Sequence, residues 1–129
     1  MICEKSERDY SQLPTFKVIK IANGLRYGNT ITVNVTNSST AFTISFIIKE
    51  TKTIPFLIQF DPKTKVVRRN SFIDNNYGHD EAYGGFPNDD NYFLTITLDE
   101  NKFYLKVDGE EFASFDHRHR AVNEINVIR

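Results

Sequence analysis

The segment Leu57-Ile-Gln-Phe-Asp-Pro-Lys63 is the most informative part of this chain, because apolar and polar side chains alternate along it. Residues two apart on a β-strand point to the same side. Gln59, Asp61 and Lys63 therefore form a polar row on one side, while the apolar residues between them point into a core. Two interpretations remain open. The row is the solvated outer face of a β-sandwich, or it is a shallow site for a small polar ligand, with Tyr77 arriving nearby.

The rest of the chain has the same strand-like pattern. Short runs rich in Val, Ile, Thr, Phe and Tyr are separated by clusters of Asn, Asp, Gly, Pro and Ser, which is typical of strands and turns. No segment has a helical period of adequate length. The predicted strands lie near residues 16–20, 30–36, 41–49, 54–61, 65–71, 92–98, 102–107, 111–115 and 124–128. Regularly spaced strands of this kind predict an all-β sandwich or barrel.

Length and composition limit the possible classes of function. The 129 residues fit one domain, which we place at 13–129, after a charged and flexible arm at 1–12. Sixteen basic and seventeen acidic residues give no basic excess for nucleic acid. No apolar run approaches the roughly 20 residues of a membrane span. The first residues have no apolar core of a secretory signal, and the single Cys3 has no intrachain partner for a disulfide.

The residues around the polar row resemble the carbohydrate-recognition core of the galectins. That family's pattern is His-Phe-Asn-Pro-Arg, then Val-x-Asn-Ser, then Trp-Gly-x-Glu-x-Arg, then Phe-Pro. The matching pieces here are Gln59–Lys63, Val67–Ser71, Tyr77–Ala82 and Phe86–Pro87. Flanking pieces that agree are Asn23–Gly28, Phe93–Thr97, Phe103–Gly109 and Phe115–Arg118. The resemblance covers roughly residues 13–127. It implies a two-sheet antiparallel jelly-roll sandwich, as in galectins and legume lectins, with no enzymatic activity and no cofactor.

The resemblance also implies a carbohydrate-binding site on the concave sheet face. Its candidate residues are Gln59, Asp61, Lys63, Arg68, Asn70, Tyr77 and Asp80. Asn70 alone keeps the residue of the family pattern, and the last Arg of that pattern is replaced by Ala82. Tyr77 can stack on a sugar ring. Arg68 shares the face of Asn70, where it is either a displaced cation of the site or a solvated strand residue. Because most replacements keep polarity but lose geometry, we expect lactose-type binding to be weak, altered or absent.

A second function remains open, namely a protein-interaction module that kept the scaffold and lost the sugar. The chain stops at Arg129, where the family normally has one more strand. Three explanations remain open: the arm replaces this strand, a sheet edge is unclosed, or the chain is a fragment. An unclosed edge would pair with a partner or a second copy. We weighed a metal at His117 and His119 and a glycosidase pair of Asp61 and Asp80, and we predict neither. The expected location is the cytoplasm, or outside the cell by export without a signal peptide, as for galectins.

Overall fold

A computed structural model describes residues 2–3, 19–36, 40–82 and 85–129. These residues form eleven β-strands, one 3₁₀ turn (Val122–Glu124) and no α-helix. The strands are β1 (Ile2–Cys3), β2 (Ile19–Lys20), β3 (Thr30–Val35), β4 (Phe42–Ile48), β5 (Thr53–Asp61), β6 (Val66–Ile73), β7 (Asn76–Tyr77), β8 (Tyr92–Leu98), β9 (Lys102–Val107), β10 (Glu110–Asp116) and β11 (Val127–Ile128). One antiparallel sheet has the order β1-β3-β8-β9-β10, and the other has the order β2-β11-β4-β5-β6-β7.

The core lies between the two sheets and is rich in aromatic side chains. Phe56 on β5 stands at its centre, with its ring centroid 4.6 Å from that of Phe103, 4.9 Å from that of Phe115 and 5.6 Å from that of Phe46. All four rings are fully buried. They come from both sheets, so the inward-facing residues of alternating strands hold the layers together. The predicted all-β, two-sheet sandwich is confirmed.

A β-bulge in β5 sets which residues face outward at the site. The pairing of β5 shifts register next to Ile54 and Pro55, both against β4 and against β6. Proline lacks a backbone N–H and is therefore confined within sheets to edges, first residues or bulges. Beyond the bulge the alternation is regular, so Ile58 and Phe60 are buried and Gln59 is exposed. The sequence pattern of this strand thus predicts its two faces correctly.

The two ends of the described chain both take part in sheet pairing. Ile2–Cys3 of the predicted arm pairs with β3, while residues 1 and 4–12 of that arm lie outside the described residues. At the other end, Arg129 exchanges two backbone hydrogen bonds with Ser45 of β4, at 2.8 and 2.9 Å. Within the described residues, β1, β10, β2 and β7 are the outermost strands. The described part of the chain contains no helix that could span a membrane.

Two local predictions were wrong. The expected strand at 124–128 is shorter, because Glu124 belongs to the 3₁₀ turn and only Val127–Ile128 is a strand. Val122 and Ile125 are both buried and lie three residues apart, which is the 3₁₀ period and not the strand period. The second difference is β7, a two-residue strand at Asn76–Tyr77, where no strand is predicted from the sequence. Part of the first predicted strand, 16–18, lies outside the described residues.

Tyr92 places a buried hydroxyl in this core, and removing this hydroxyl is expected to stabilise the domain. The side chain is 3% exposed, and its hydroxyl has no hydrogen-bond partner among the described residues. We expect Tyr92→Phe to raise the free energy of unfolding by about 1 kcal/mol, because an unpaired buried hydroxyl is costly. Burial also raises the pKa of the Tyr92 phenol. The unfolded chain therefore ionises first, and the wild type loses stability above about pH 10.

Denaturant unfolding of both proteins at neutral and alkaline pH measures the two effects. Tyr104→Phe is the control, because Tyr104 is only half-buried, on the outer side of β9. A destabilised Tyr92→Phe variant would show that the hydroxyl has a stabilising partner.

Candidate functional site

A row of polar side chains crosses the outer face of the second sheet at right angles to the strands. Gln59 on β5 is directly opposite Thr43 on β4 and directly opposite Arg68 on β6. Directly opposite residues of an antiparallel pair project on the same side. Thr43 and Gln59 are exposed, and Arg68 is half-buried. The sequence prediction that Arg68 shares the face of Asn70 is consistent with this register, which pairs Asn70 with Leu57, two residues before Gln59.

An ion pair closes the row at the edge of the sheet. Arg68 Nη1 lies 3.6 Å from Asp80 Oδ2, and the two side chains are 42% and 49% exposed. The other carboxylate oxygen of Asp80 accepts a hydrogen bond of 2.8 Å from the Asn70 side-chain amide. Three of the predicted site residues, Arg68, Asn70 and Asp80, are therefore in direct contact through one carboxylate.

Asn70 is held by the protein on every side. Its amide nitrogen donates to the carbonyl oxygen of Gly78 at 3.0 Å and to Asp80 at 2.8 Å. Its amide oxygen accepts from the backbone N–H of Ser71 at 2.7 Å and from Arg118 at 3.0 Å. The residue is 6% exposed. Two donors and two acceptor positions are the full capacity of an amide. Asn70 therefore uses its side chain to position Asp80 and the backbone around it. Direct contact between Asn70 and a ligand stays a prediction.

Arg118 fastens the segment that follows β7 to the sheet, and it was not predicted as a site residue. Its guanidinium donates to the backbone carbonyl of His79 at 2.7 Å and to the Glu81 carboxylate at 3.2 Å. It also donates to Asn70 Oδ1 at 3.0 Å and to Ser71 Oγ at 3.2 Å. The only sequence signal for this role was the match of Phe115–Arg118 to a closing piece of the family pattern. Arg118 thus fixes the backbone that carries Asp80.

Gly78 lies against this guanidinium. A Cβ atom at position 78 would stand 2.5 Å from Arg118 Nη1 and 3.2 Å from Ser71 Oγ. These separations are shorter than non-bonded atoms tolerate, so a side chain here would displace the guanidinium or the segment itself. Glycine is required at this point for close approach of the backbone.

Tyr77 is the most exposed aromatic side chain near the polar row. It is 67% exposed, and its ring centroid lies 4.8 Å from that of Phe72, its direct partner on β6. A tyrosine ring supported on one side and open to solvent on the other can stack against an apolar ligand face. The predicted position of Tyr77 beside the polar row is consistent with this arrangement.

Asp61 and Lys63 follow Gln59 along the chain, and the prediction that these three side chains form one row was wrong at Lys63. Strand β5 ends at Asp61, and Asp61 pairs with Val66 across a hairpin, which leaves Lys63 in the turn. Asp61 Oδ1 accepts a hydrogen bond of 3.0 Å from the backbone N–H of Lys63, a local turn contact typical of aspartate. The Lys63 side chain lines a cavity of about 260 Å³ together with Phe86 and neighbouring residues.

The two histidines weighed as metal ligands have other contacts. His117 Nε2 donates to the carbonyl oxygen of Asp99 at 2.6 Å, and His119 Nδ1 accepts from the backbone N–H of Ala121 at 3.1 Å. In the parts of the chain that the structure describes, no three His, Cys, Asp or Glu side chains are grouped as a metal site requires. These contacts give both rings a structural role.

Comparison with a family model identifies the family of this chain. The model of the galactoside-binding lectins matches residues 16–129, which is most of the chain. The chain belongs to the galactoside-binding lectin family. Galectins are lectins and not enzymes, so the predictions of a galectin-type carbohydrate-binding domain and of no enzymatic activity are confirmed. No match was found among the sequences of curated proteins.

Solved galectin structures have the same fold. Sheep galectin-11 in complex with glycerol superposes with a TM-score of 0.75 at 17% identity, covering 90% of this chain and 89% of that one. The galectin LEC-6 of Caenorhabditis elegans gives 0.75 and 17%, covering 87% and 79%. A variant of human galectin-16 gives 0.75 and 20%, covering 87% and 84%. At such identities the likeness shows the fold, which confirms the predicted jelly-roll sandwich.

Proposed function

We propose that this galectin-family domain binds a glycan on the outer face of β5, β6 and β7, with a specificity that differs from simple β-galactoside binding. One observation carries the proposal. The exposed ring of Tyr77, in contact with Phe72, stands on the same sheet face as the polar side chains of Gln59, Arg68 and Asp80. An aromatic face beside convergent polar groups matches a sugar ring, which has an apolar face and a hydroxylated edge.

The spacing of these groups fits a short oligosaccharide. Tyr77 pairs with Phe72, and Arg68 lies four residues earlier on the same strand. Four residues of a strand span about 13 Å. A sugar ring stacked on Tyr77 would lie above Asn70 and Asp80, and the next unit of the chain would reach Arg68 and Gln59. The site is therefore extended along β6 and open to solvent.

Weak lactose binding is part of the proposal. The family's first Arg is replaced by Lys63, which the turn places beyond the strand, and its last Arg is replaced by Ala82. Asp61 uses one carboxylate oxygen in the turn, and Asn70 uses its whole amide internally. Each lost hydrogen bond costs roughly 0.5–1.5 kcal/mol. Three or four such losses weaken the affinity for lactose by about two orders of magnitude relative to a site with the full family pattern.

A glycan array with wild type, Tyr77→Ala and Tyr27→Ala tests the proposal. Tyr27 is the matched control, because it is 47% exposed and lies in the turn before β3, away from this face. We expect wild type and Tyr27→Ala to bind the same glycans, and Tyr77→Ala to lose about tenfold or more in affinity. Tyr77 is a cleaner probe than Asn70, since removing the Asn70 amide also removes four internal hydrogen bonds.

Binding that survives in Tyr77→Ala would place the glycan elsewhere. A folded wild type that binds no glycan would favour the second candidate, the protein-interaction module. The complete internal bonding of Asn70 is the observation that supports this alternative, since it leaves the amide with no open group for a sugar.

The partner and the location stay proposals of the same kind. We propose a glycan or glycoprotein as the partner, and pairing of two copies along an outermost strand as the way in which a weak site gains avidity. Cytoplasmic location, or export without a signal peptide, rests on membership of the galectin family. Size-exclusion chromatography with light scattering measures the oligomeric state directly.

A further inference from the structure

We propose that the preferred ligand of this site is an acidic glycan, whose carboxylate or sulfate group is received by Arg68. This inference rests on the proposed function, because it names the ligand class of the same site. Arg68 has a planar guanidinium, which matches the two oxygens of a carboxylate or sulfate with parallel hydrogen bonds. A neutral galactoside would use this group less fully.

The hydrogen-bonding state of Arg68 is the first support. Its contact with Asp80 is 3.6 Å long, which is beyond hydrogen-bond distance. Within the described ranges, no other side chain or carbonyl accepts a hydrogen bond from its guanidinium. The guanidinium, on a side chain that is 42% exposed, therefore keeps N–H donors on the side away from Asp80 for a ligand. Asp80 thus orients the guanidinium of Arg68 without occupying all of its hydrogen-bond donors.

Asp80 is compatible with an acidic ligand because its negative charge is already offset by contacts with Asn70 and Arg68. One of its oxygens accepts from Asn70, and the other faces Arg68. A carboxylate on one side of a guanidinium leaves the other side free. The pair therefore holds Arg68 in place above the sheet, which lowers the entropy that the side chain loses when a ligand binds.

Gln59 supplies a second donor next to this fork. It lies directly opposite Arg68 on the neighbouring strand, it is exposed, and its side-chain amide carries two N–H groups. An anionic group above the Arg68–Gln59 pair would accept hydrogen bonds from both residues. Thr43, opposite Gln59 on β4, extends the row with an exposed hydroxyl.

The nearby lysines do not carry this inference. Lys63 and Lys65 line the cavity at the hairpin turn together with Asp89 and Asp90, so that positive and negative charges offset each other there. The Lys65 ammonium also lies 5.3 Å from the centre of the Phe86 ring. Recognition of an acidic group depends on Arg68 and Gln59.

The test compares lactose with sialylated lactose and sulfated lactose, by isothermal titration of wild type, Arg68→Gln and Arg68→Lys. Arg26→Gln is the matched control, because Arg26 is an exposed arginine in the turn before β3. Wild type and Arg26→Gln are expected to bind one or both acidic sugars about tenfold or more tightly than lactose. Arg68→Gln is expected to lose this preference, so that its affinities for the acidic sugars fall to about its own affinity for lactose. Arg68→Lys, which keeps the charge without the fork, is expected to recover only part of it.

The outcomes separate this inference from the proposed function. Preference for sialylated lactose alone identifies the anion as a carboxylate, and preference for sulfated lactose alone identifies it as a sulfate ester. Equal affinity of wild type for acidic and neutral sugars, or an unchanged preference in Arg68→Gln, overturns the inference and leaves the lectin proposal standing. No binding of any of the three sugars, or of the array glycans, by folded wild type overturns both. Thermal unfolding of each variant establishes that it is folded.

Discussion

Arg118→Met is expected to destabilise the domain by about 3 kcal/mol and to weaken glycan binding by about tenfold or more. Methionine keeps much of the packing over Phe115, whose ring lies 4.6 Å from the guanidinium carbon. It removes the donors to the exposed His79 carbonyl and to Asn70 and Glu81, whose contacts with Arg118 are partly buried. The segment that carries Asp80 then loses its attachment, and the effect reaches the ligand site through Asp80 and Asn70.

Arg120→Met is the control for this prediction. Arg120 is exposed and lies only two residues further along the chain, so the same substitution there should change the free energy of unfolding by less than about 0.5 kcal/mol. Denaturant unfolding and titration with the best glycan measure both properties. Equal stability of wild type and Arg118→Met would mean that the hydrogen bonds around Asn70 do not hold the site together.

Phe56→Ala is expected to cost about 3–5 kcal/mol of stability, the largest effect of any single change proposed for the core. The ring is fully buried and contacts Phe46, Phe103 and Phe115, which belong to both sheets. Its removal leaves a cavity between the layers that the surrounding rings can fill only in part. A domain of this size has a total stability of roughly 5–15 kcal/mol, so the variant is expected to be close to unfolding.

Phe93→Ala is the control for Phe56→Ala, because it removes the same type of side chain from an exposed position. Phe93 is 53% exposed on the outer face of β8, so we expect little change in stability when its ring is removed. Thermal unfolding of the two variants measures the difference. If Phe93→Ala cost as much as Phe56→Ala, the placement of the core between the two sheets would be contradicted.

Most of the fold follows from alternation along the strands. Ile44, Phe46 and Ile48 are two residues apart and all three are buried, as their spacing predicts. Such a pattern is local, so it can be recognised without knowledge of the partner strand. The short strand β7 could not be predicted in this way. Two residues are too few for a pattern, and the strand depends on pairing with the end of β6.

The site was less predictable, because it depends on turn length and on distant contacts. The sequence places Gln59 correctly on the outer face, but the hairpin between Asp61 and Val66 removes Lys63 from the row. Arg118 lies 48 positions from Asn70 in sequence, and nothing local indicates that the two side chains meet. Contacts of this kind become visible only when the sheets are assembled, and they explain why the family's retained Asn70 is buried.

The central claim is that a glycan binds along the outer face of β5, β6 and β7. An NMR titration of isotope-labelled wild type, with the strongest glycan from the array, tests it most directly. The account predicts that the backbone amides of Gln59, Arg68, Tyr77 and Asp80 shift together with one saturation curve, while Phe93 and Lys106 on the opposite sheet stay unchanged. Shifts centred on the opposite sheet, or no shift at any residue of the outer face at saturating glycan, would contradict it.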